Sequence, residues 1–308
     1  MSWLIFAIIG HLANGVAFAI DKMLLKSAFT RSATYAGLVG VLSTVVVLAM
    51  PFVANWPHGG GWVLSVLSGA TFIFALWAFF AAMARAEASR VVPIVGSLIP
   101  VFTLAGSFAF LAERLSDKTF VGFGLLIIAT VMLSGGKAAG RPSSQTIWLA
   151  VTAAILFAVS SVTGKAVYDS SGFFGAFVVS RLAAALTALG LLTLVDVRAG
   201  QEAWSIIRPA KEGRSKGNKQ PGKIAAIMAL VGQGLGAVGF VLVQYAMSKG
   251  SASLVNALQA VQYAFLVLLA LALRKRALQL LGEHLDKRTL ILKGAALAVT
   301  ALGMYLLV

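Results

Sequence analysis

The stretch Ala82-Met-Ala-Arg-Ala-Glu-Ala-Ser-Arg-Val91 returns in the second half of the chain as Ala246-Met-Ser-Lys-Gly-Ser-Ala-Ser-Leu-Val255. Two more pairs keep the same order. Gly15-Val-Ala-Phe-Ala-Ile-Asp-Lys22 lines up with Ala158-Val-Ser-Ser-Val-Thr-Gly-Lys165, and Glu113-Arg-Leu-Ser-Asp-Lys118 with Glu283-His-Leu-Asp-Lys-Arg288. Self-similarity at long spacing indicates one structural unit used twice. Around these stretches lie apolar runs at 3–20, 34–54, 61–83, 91–111 and 119–136, then at 147–164, 174–195, 224–247, 252–273 and 289–308. Each approaches the roughly 20 residues with which a helix crosses a hydrocarbon layer about 30 Å thick. Five runs per copy is an odd number, so the second copy enters the membrane from the opposite side. The expected fold is an all-α membrane protein with ten transmembrane helices, two inverted five-helix repeats over residues 1–142 and 143–308. A membrane barrel would alternate polar and apolar residues, whereas these runs are apolar all round.

Composition agrees. Of 308 residues 59% are hydrophobic and 11% charged, against roughly 45–50% and 25% in soluble proteins. The 31 glycines suit spans, where they let helices approach closely. With Cys 0 and only His11, His58 and His284, far apart, the chain offers no disulfide, no thiolate nucleophile and poor material for a metal centre, and no cofactor is expected. A net charge of +15 would suggest nucleic acid in a soluble protein. Here the basic residues sit between apolar runs, where they set orientation, and nucleic acid is not an expected partner. Ala17-Phe-Ala19 resembles a cleavage site, but nothing basic precedes the first run and its end is copied at 158–165, so it is read as a span.

The paired five-helix unit resembles a known family over essentially the whole chain, most specifically in the first copy. Ala-Glu-Ala-Ser-Arg-Val-Val-Pro93 entering the fourth span, Pro100 within it and Leu-Ala-Glu113-Arg-Leu at its end are similar to the EamA family of the drug/metabolite transporter superfamily. In the second copy Asn256 and Ala264 stand in place of Pro93 and Pro100, and Arg274-Lys-Arg-Ala-Leu-Gln279 lengthens the exit. The resemblance implies a ten-helix secondary transporter or exporter of small metabolites, often amino acids, with a central cavity lined by both halves.

Lysine and arginine number 19 in the odd-numbered loops and 4 in the even-numbered ones. Positive residues stay cytoplasmic, so the charge count places both termini outside, whereas the resemblance implies cytoplasmic termini; the reading here follows the charges. Seven of the 19 lie between Arg198 and Lys223, a segment read as a solvated loop that helps fix topology, the alternative being a stretch around Trp204 laid along the bilayer surface.

Ionisable groups within spans are costly and point to function. Arg181 lies well inside the seventh run, and all ten carboxylates fall at span edges or in loops, so no acidic residue accompanies it there and a buried carboxylate relay is not expected. Asn256, Gln259 and Tyr263 recur at i, i+3 and i+7 in the ninth run, one face of a continuous helix, with Gln262 on its flank. These, with His11 and Asn14 in the first run and Trp77 in the aromatic third run, are the candidate substrate-binding residues. Leu268 serves as a packing position on another face. Gly232, Gly234, Gly236 and Gly239 lack the strand and Gly-Lys-Ser/Thr of a phosphate loop and are read as helix packing.

The expected function is secondary transport of a small metabolite bearing a carboxylate or phosphate, by alternating access, in a plasma or bacterial inner membrane. Its partners are that substrate and membrane lipids, with a homodimer left open. A flippase for a lipid-linked intermediate is the nearest alternative. An integral-membrane lipid or sugar transferase would need acids or histidines gathered at one membrane face, and no enzyme activity is expected.

Overall fold

The computed structural model describes residues 2–24, 31–86, 88–134, 142–207, 223–273 and 287–307, and everything described is helix or short connection. Helices α1 (Ser2–Leu24), α2 (Ser32–Leu42), α3 (Gly61–Met83), α4 (Ala88–Phe110) and α5 (Asp117–Ser134) come from the first half. The second half supplies α6 (Ser144–Ser171), α7 (Phe173–Gly190), α8 (Val197–Ile207), α9 (Lys223–Lys249), α10 (Ala252–Ala257), α11 (Gln259–Leu273) and α12 (Lys287–Leu307). A 3₁₀ stretch over Ser43–Phe52 prolongs α2, its end marked by Pro51, which has no amide to continue the ladder. A π turn over Leu191–Val195 prolongs α7.

Seven helical stretches among the described residues are long and apolar enough to cross a membrane. The exterior suits that solvent: Leu48, Phe110, Trp148, Leu186 and Leu194 all stand exposed. Water would make such a surface an aggregation liability, whereas a bilayer makes it the favoured one. Trp56 and Trp62 stack with parallel planes, 6.5 Å between ring centroids, beside the connection between α2 and α3, a position suited to interfacial anchors.

Small residues set the helix spacing. A Cβ added to Gly10 of α1 would lie 2.9 Å from the Gly239 carbonyl oxygen of α9, so the two backbones touch through glycine. Of the glycine set on α9, Gly239 meets Gly10 and a Cβ added to Gly236 would lie 3.5 Å from Ala17 of α1, whereas one added to Gly234 meets nothing within 4 Å, so the packing reading holds for the first two and not for Gly234. On the other side of the molecule Ser68 of α3 and Ser160 of α6 each donate to the other's carbonyl oxygen at 2.8 Å. α5 packs along α12, and α2 on α7.

The helix ends gather on two faces. Trp3 lies against Gly250, Gly122 against Leu306, and Asn55 against Gly175, which places residue 2, the α4–α5, α6–α7 and α9–α10 connections and the end of α12 on one N-terminal face. The other face carries the start of α2 and all of α8. Arg31 pairs with Asp196 at 3.2 Å, and Thr34 donates to Glu202 at 2.5 Å.

Three sequence expectations change. Residues 197–207 were expected in a solvated loop but form α8, because Ala199 and Ala203 bury themselves among α2 and α7 while Trp204 faces outward. The basic tail from Arg208 to Gly222 lies outside the described residues. The ninth run is not one helix: it breaks at Leu258 into α10 and α11. Leu268 faces outward, 52% exposed, so it is a lipid-facing position and not the packing site expected for it.

Candidate functional site

The break in the ninth run has an identifiable cause. In a continuous helix the Val255 carbonyl would accept from the Gln259 amide; instead Nε2–H of His11, on α1, donates to it at 2.9 Å. A side chain inserted into the ladder is a recognised origin of helix kinks. His11 is buried. The candidate histidine thus shapes the helix that carries the other polar candidates.

Beside the break is a cavity of about 110 Å³. Phe72 of α3 and Ile99 of α4 form its first-half wall; Phe157, Ser160 and Ser161 of α6, Phe240, Val243, Gln244 and Met247 of α9, Asn256 and Gln259 complete it. Both halves of the chain therefore build the chamber. Asn256 donates through Nδ2 to Thr103 Oγ1 at 3.0 Å and to Ser161 Oγ at 3.2 Å, joining α10 to α4 and α6. Gln259 Nε2 donates to the Tyr263 hydroxyl at 3.0 Å. That hydroxyl rests against Gly96, where an added Cβ would lie 2.9 Å away. Gln244 Nε2 donates to the buried Tyr168 hydroxyl at 3.2 Å.

Arg181 borders this chamber from behind. It is only 4% exposed, with its Cζ 4.5 Å from the Phe72 ring centroid, 4.8 Å from that of Phe240 and 5.8 Å from that of Phe177. Phe72 and Phe240 also line the cavity, so the guanidinium adjoins two of its wall residues without itself being a lining residue. The rings offer the cation their negative faces, but ring faces do not satisfy N–H donors. Nε and Nη2 of Arg181 are buried with no hydrogen-bond partner, and no carboxylate pairs with Arg181 among the described residues. These two nitrogens share one edge of the guanidinium, the edge that binds a carboxylate or phosphate through two parallel hydrogen bonds.

The other candidates lie apart from the chamber wall. Trp77 packs with the α2–α7 cluster, and the cavity residue of α3 is Phe72. Asn14 lies against Gly239 in the α1–α9 contact, and Gln262 lies beside Gly15 of α1. Ser160, Ser161 and Gln244 were not singled out from the sequence. Gln244, a lone amide within an apolar run, carried the same kind of signal as Gln259.

The geometry defines a multi-pass helical membrane protein with a chamber whose largely apolar wall carries a few amides and hydroxyls. Residues 1–135 match the EamA-like transporter family, which places that stretch in the drug/metabolite transporter superfamily and implies a membrane transporter of that type. A crystal structure 16% identical in sequence superposes with a TM-score of 0.64 over 99% of this chain and 97% of its own, a likeness of fold. No curated protein matches the sequence.

Asn256→Leu offers a direct test of the chamber wall. The change removes two donors without charging the membrane, and an interhelical bond of this kind contributes about 0.6 to 2 kcal/mol. Transport per folded molecule should fall at least tenfold, with the unfolding midpoint lowered by no more than such bonds allow; the outward-facing Leu268→Ala should change neither. If Asn256→Leu lowers stability but transports normally once folded, Asn256 only joins helices.

Proposed function

We propose that the protein is a secondary transporter of a small metabolite bearing a carboxylate or phosphate, an amino acid or similar molecule, working by alternating access in a plasma or bacterial inner membrane. The observation that carries this reading is the unpartnered Nε–Nη2 edge of Arg181 beside the cavity. A buried donor without a partner costs about 1–3 kcal/mol, more when charged, so the free protein holds a stored preference for a bidentate anion. The cavity amides and hydroxyls then grip the rest of the substrate.

The ten-span, two-repeat architecture belongs to the same proposal, with the halves dividing near residue 142. Repeat equivalence exchanges α1 with α6 and α3 with α9. The packing obeys that exchange: α1 packs on α9, and α3 on α6. The counterparts α2 and α7, and α5 and α12, pack on each other, as elements across a pseudo-two-fold axis do. The broken ninth span at the cavity is a further transporter feature, because a discontinuous helix frees backbone groups at the binding level.

Purified protein should be screened by thermal shift against amino acids, sugar phosphates, nucleotide sugars and polyprenyl phosphates. A small carboxylate or phosphate should raise the midpoint, by the equivalent of about 2.7 kcal/mol at a hundredfold excess over Kd, and its amide or alcohol counterpart should not. Stabilisation by polyprenyl phosphate alone would instead favour a lipid-linked flippase.

A further inference from the structure

We infer that Glu113 is a positioning residue for transport: it latches α10 shut across the N-terminal face of the cavity. This rests on the transporter reading and goes beyond it by assigning the closure of one face to three side chains. Glu113 Oε1 accepts from Ser253 Oγ at 2.6 Å and also from Ser251 Oγ. The acceptor comes from the first half and both donors from the second, so the contact ties one half of the chain to the other at the membrane surface.

The backbone is arranged to deliver that carboxylate. α4 ends at Phe110, and Ala112 takes a left-handed φ of 52°, unusual for a residue with a side chain. The Glu113 amide then donates to the Ser107 carbonyl at 3.1 Å, closing the helix end six residues back. Arg114 does not compete for the carboxylate: its Nη1 donates to the Phe108 and Glu113 carbonyls at 3.3 and 3.1 Å. On the other side Ser251 caps α10, its Oγ accepting from the Leu254 amide at 3.0 Å while donating to Glu113.

What makes this a gate is the shape of α10. It is six residues long, held by Glu113 at its outer end and carrying Asn256 into the cavity at its inner end. The break at Leu258 separates it from α11, and His11 holds the Val255 carbonyl. A change at Asn256 therefore reaches Ser253 and Ser251 through about 4.5 and 7.5 Å of helix. Glu113 is half-buried, and its partners are hydroxyls, so water can replace them and the latch can open. α4 packs against α10 at this face.

The chain has no cysteine, so a single introduced one reports without background. Met247→Cys places it in the cavity wall, two residues before the end of α9. Vesicles of both orientations would be treated with a membrane-impermeant maleimide. Adding Glu113→Ala should raise labelling from the N-terminal face about tenfold, the scale of losing one hydrogen bond to a charged group, and leave the opposite face no faster. Glu113→Gln, which keeps an acceptor, should restore part of the protection. If Glu113→Ala fails to fold, Ser253→Ala carries the test, since the Ser251 cap remains. An unchanged rate from the N-terminal face, or an equal rise from both faces, overturns the latch. Labelling needs no transported substrate, so that result would leave the anion reading standing, and failure of anion binding in the thermal-shift screen would leave the latch standing.

Discussion

Gly69→Ala should leave little folded protein, although it adds one methyl group. A Cβ at Gly69 of α3 falls within the van der Waals shell of the Ser180 carbonyl oxygen on α7 and 2.8 Å from the Ala184 amide nitrogen. Both obstacles are backbone, so no side chain can turn aside. Overpacking in a close-packed interior costs about 1–3 kcal/mol even where side chains can adjust, and here two helices must separate along the whole α3–α7 contact. The expected loss is roughly 3 kcal/mol or more, read as a collapse in monodisperse yield and a lower unfolding midpoint. Gly124→Ala is the control. Nothing lies within 4 Å of its added Cβ, and alanine is favoured over glycine in a helix by about 0.5–1 kcal/mol. Equal yields of the two variants would mean that the α3–α7 backbone approach is looser than described. Because Arg181 follows Ser180 directly, surviving Gly69→Ala protein should also bind substrate poorly.

Arg181→Gln should separate binding from stability. Two opposing terms set the stability of the free protein. Each ring contact with Phe72, Phe177 and Phe240 contributes about 2 kcal/mol or more when desolvated, and the two buried, unpartnered N–H groups cost about 1–3 kcal/mol each. The terms are of comparable size and opposite sign, so the ligand-free variant should unfold at nearly the same temperature. Its affinity for the anionic substrate should fall about a hundredfold, the scale of losing a bidentate charged pair. Arg181→Lys should lose nearly as much, because an ammonium keeps the charge but not the planar fork. A variant that is both less stable and fully able to bind would make Arg181 a packing residue held by its rings. Retained binding in Arg181→Gln alongside loss in Asn256→Leu would move recognition to the cavity amides.

Arg181 also shows how far the sequence could be read. It was visible because a charge inside an apolar run is rare and costly. Its unpaired edge and its cage were not, since Phe72 and Phe240 come from other helices and the crowded third run offered nothing to prefer Phe72 over Trp77. The polar ninth run was visible for the same reason as Arg181. Its break was not, because no proline or glycine marks Leu258 and the cause is His11, donating from the first helix. α8 was missed for a different reason: only two buried alanines, Ala199 and Ala203, turn an otherwise interfacial segment into packed helix.

Hydropathy is a local property, and the apolar runs alone determined that this chain is helical and lives in a membrane; the copied stretches added the expectation of two related halves. The glycine set ending at Gly239 was read as helix packing from the sequence, whereas Gly10 and Ser68 were not singled out there. Which helices they join depends on backbone approaches between distant segments, as do the orphaned Arg181 edge, the chamber beside it and the contact of Glu113 with Ser251 and Ser253. Those are pairwise properties of residues far apart in the chain, and only the tertiary structure decides them.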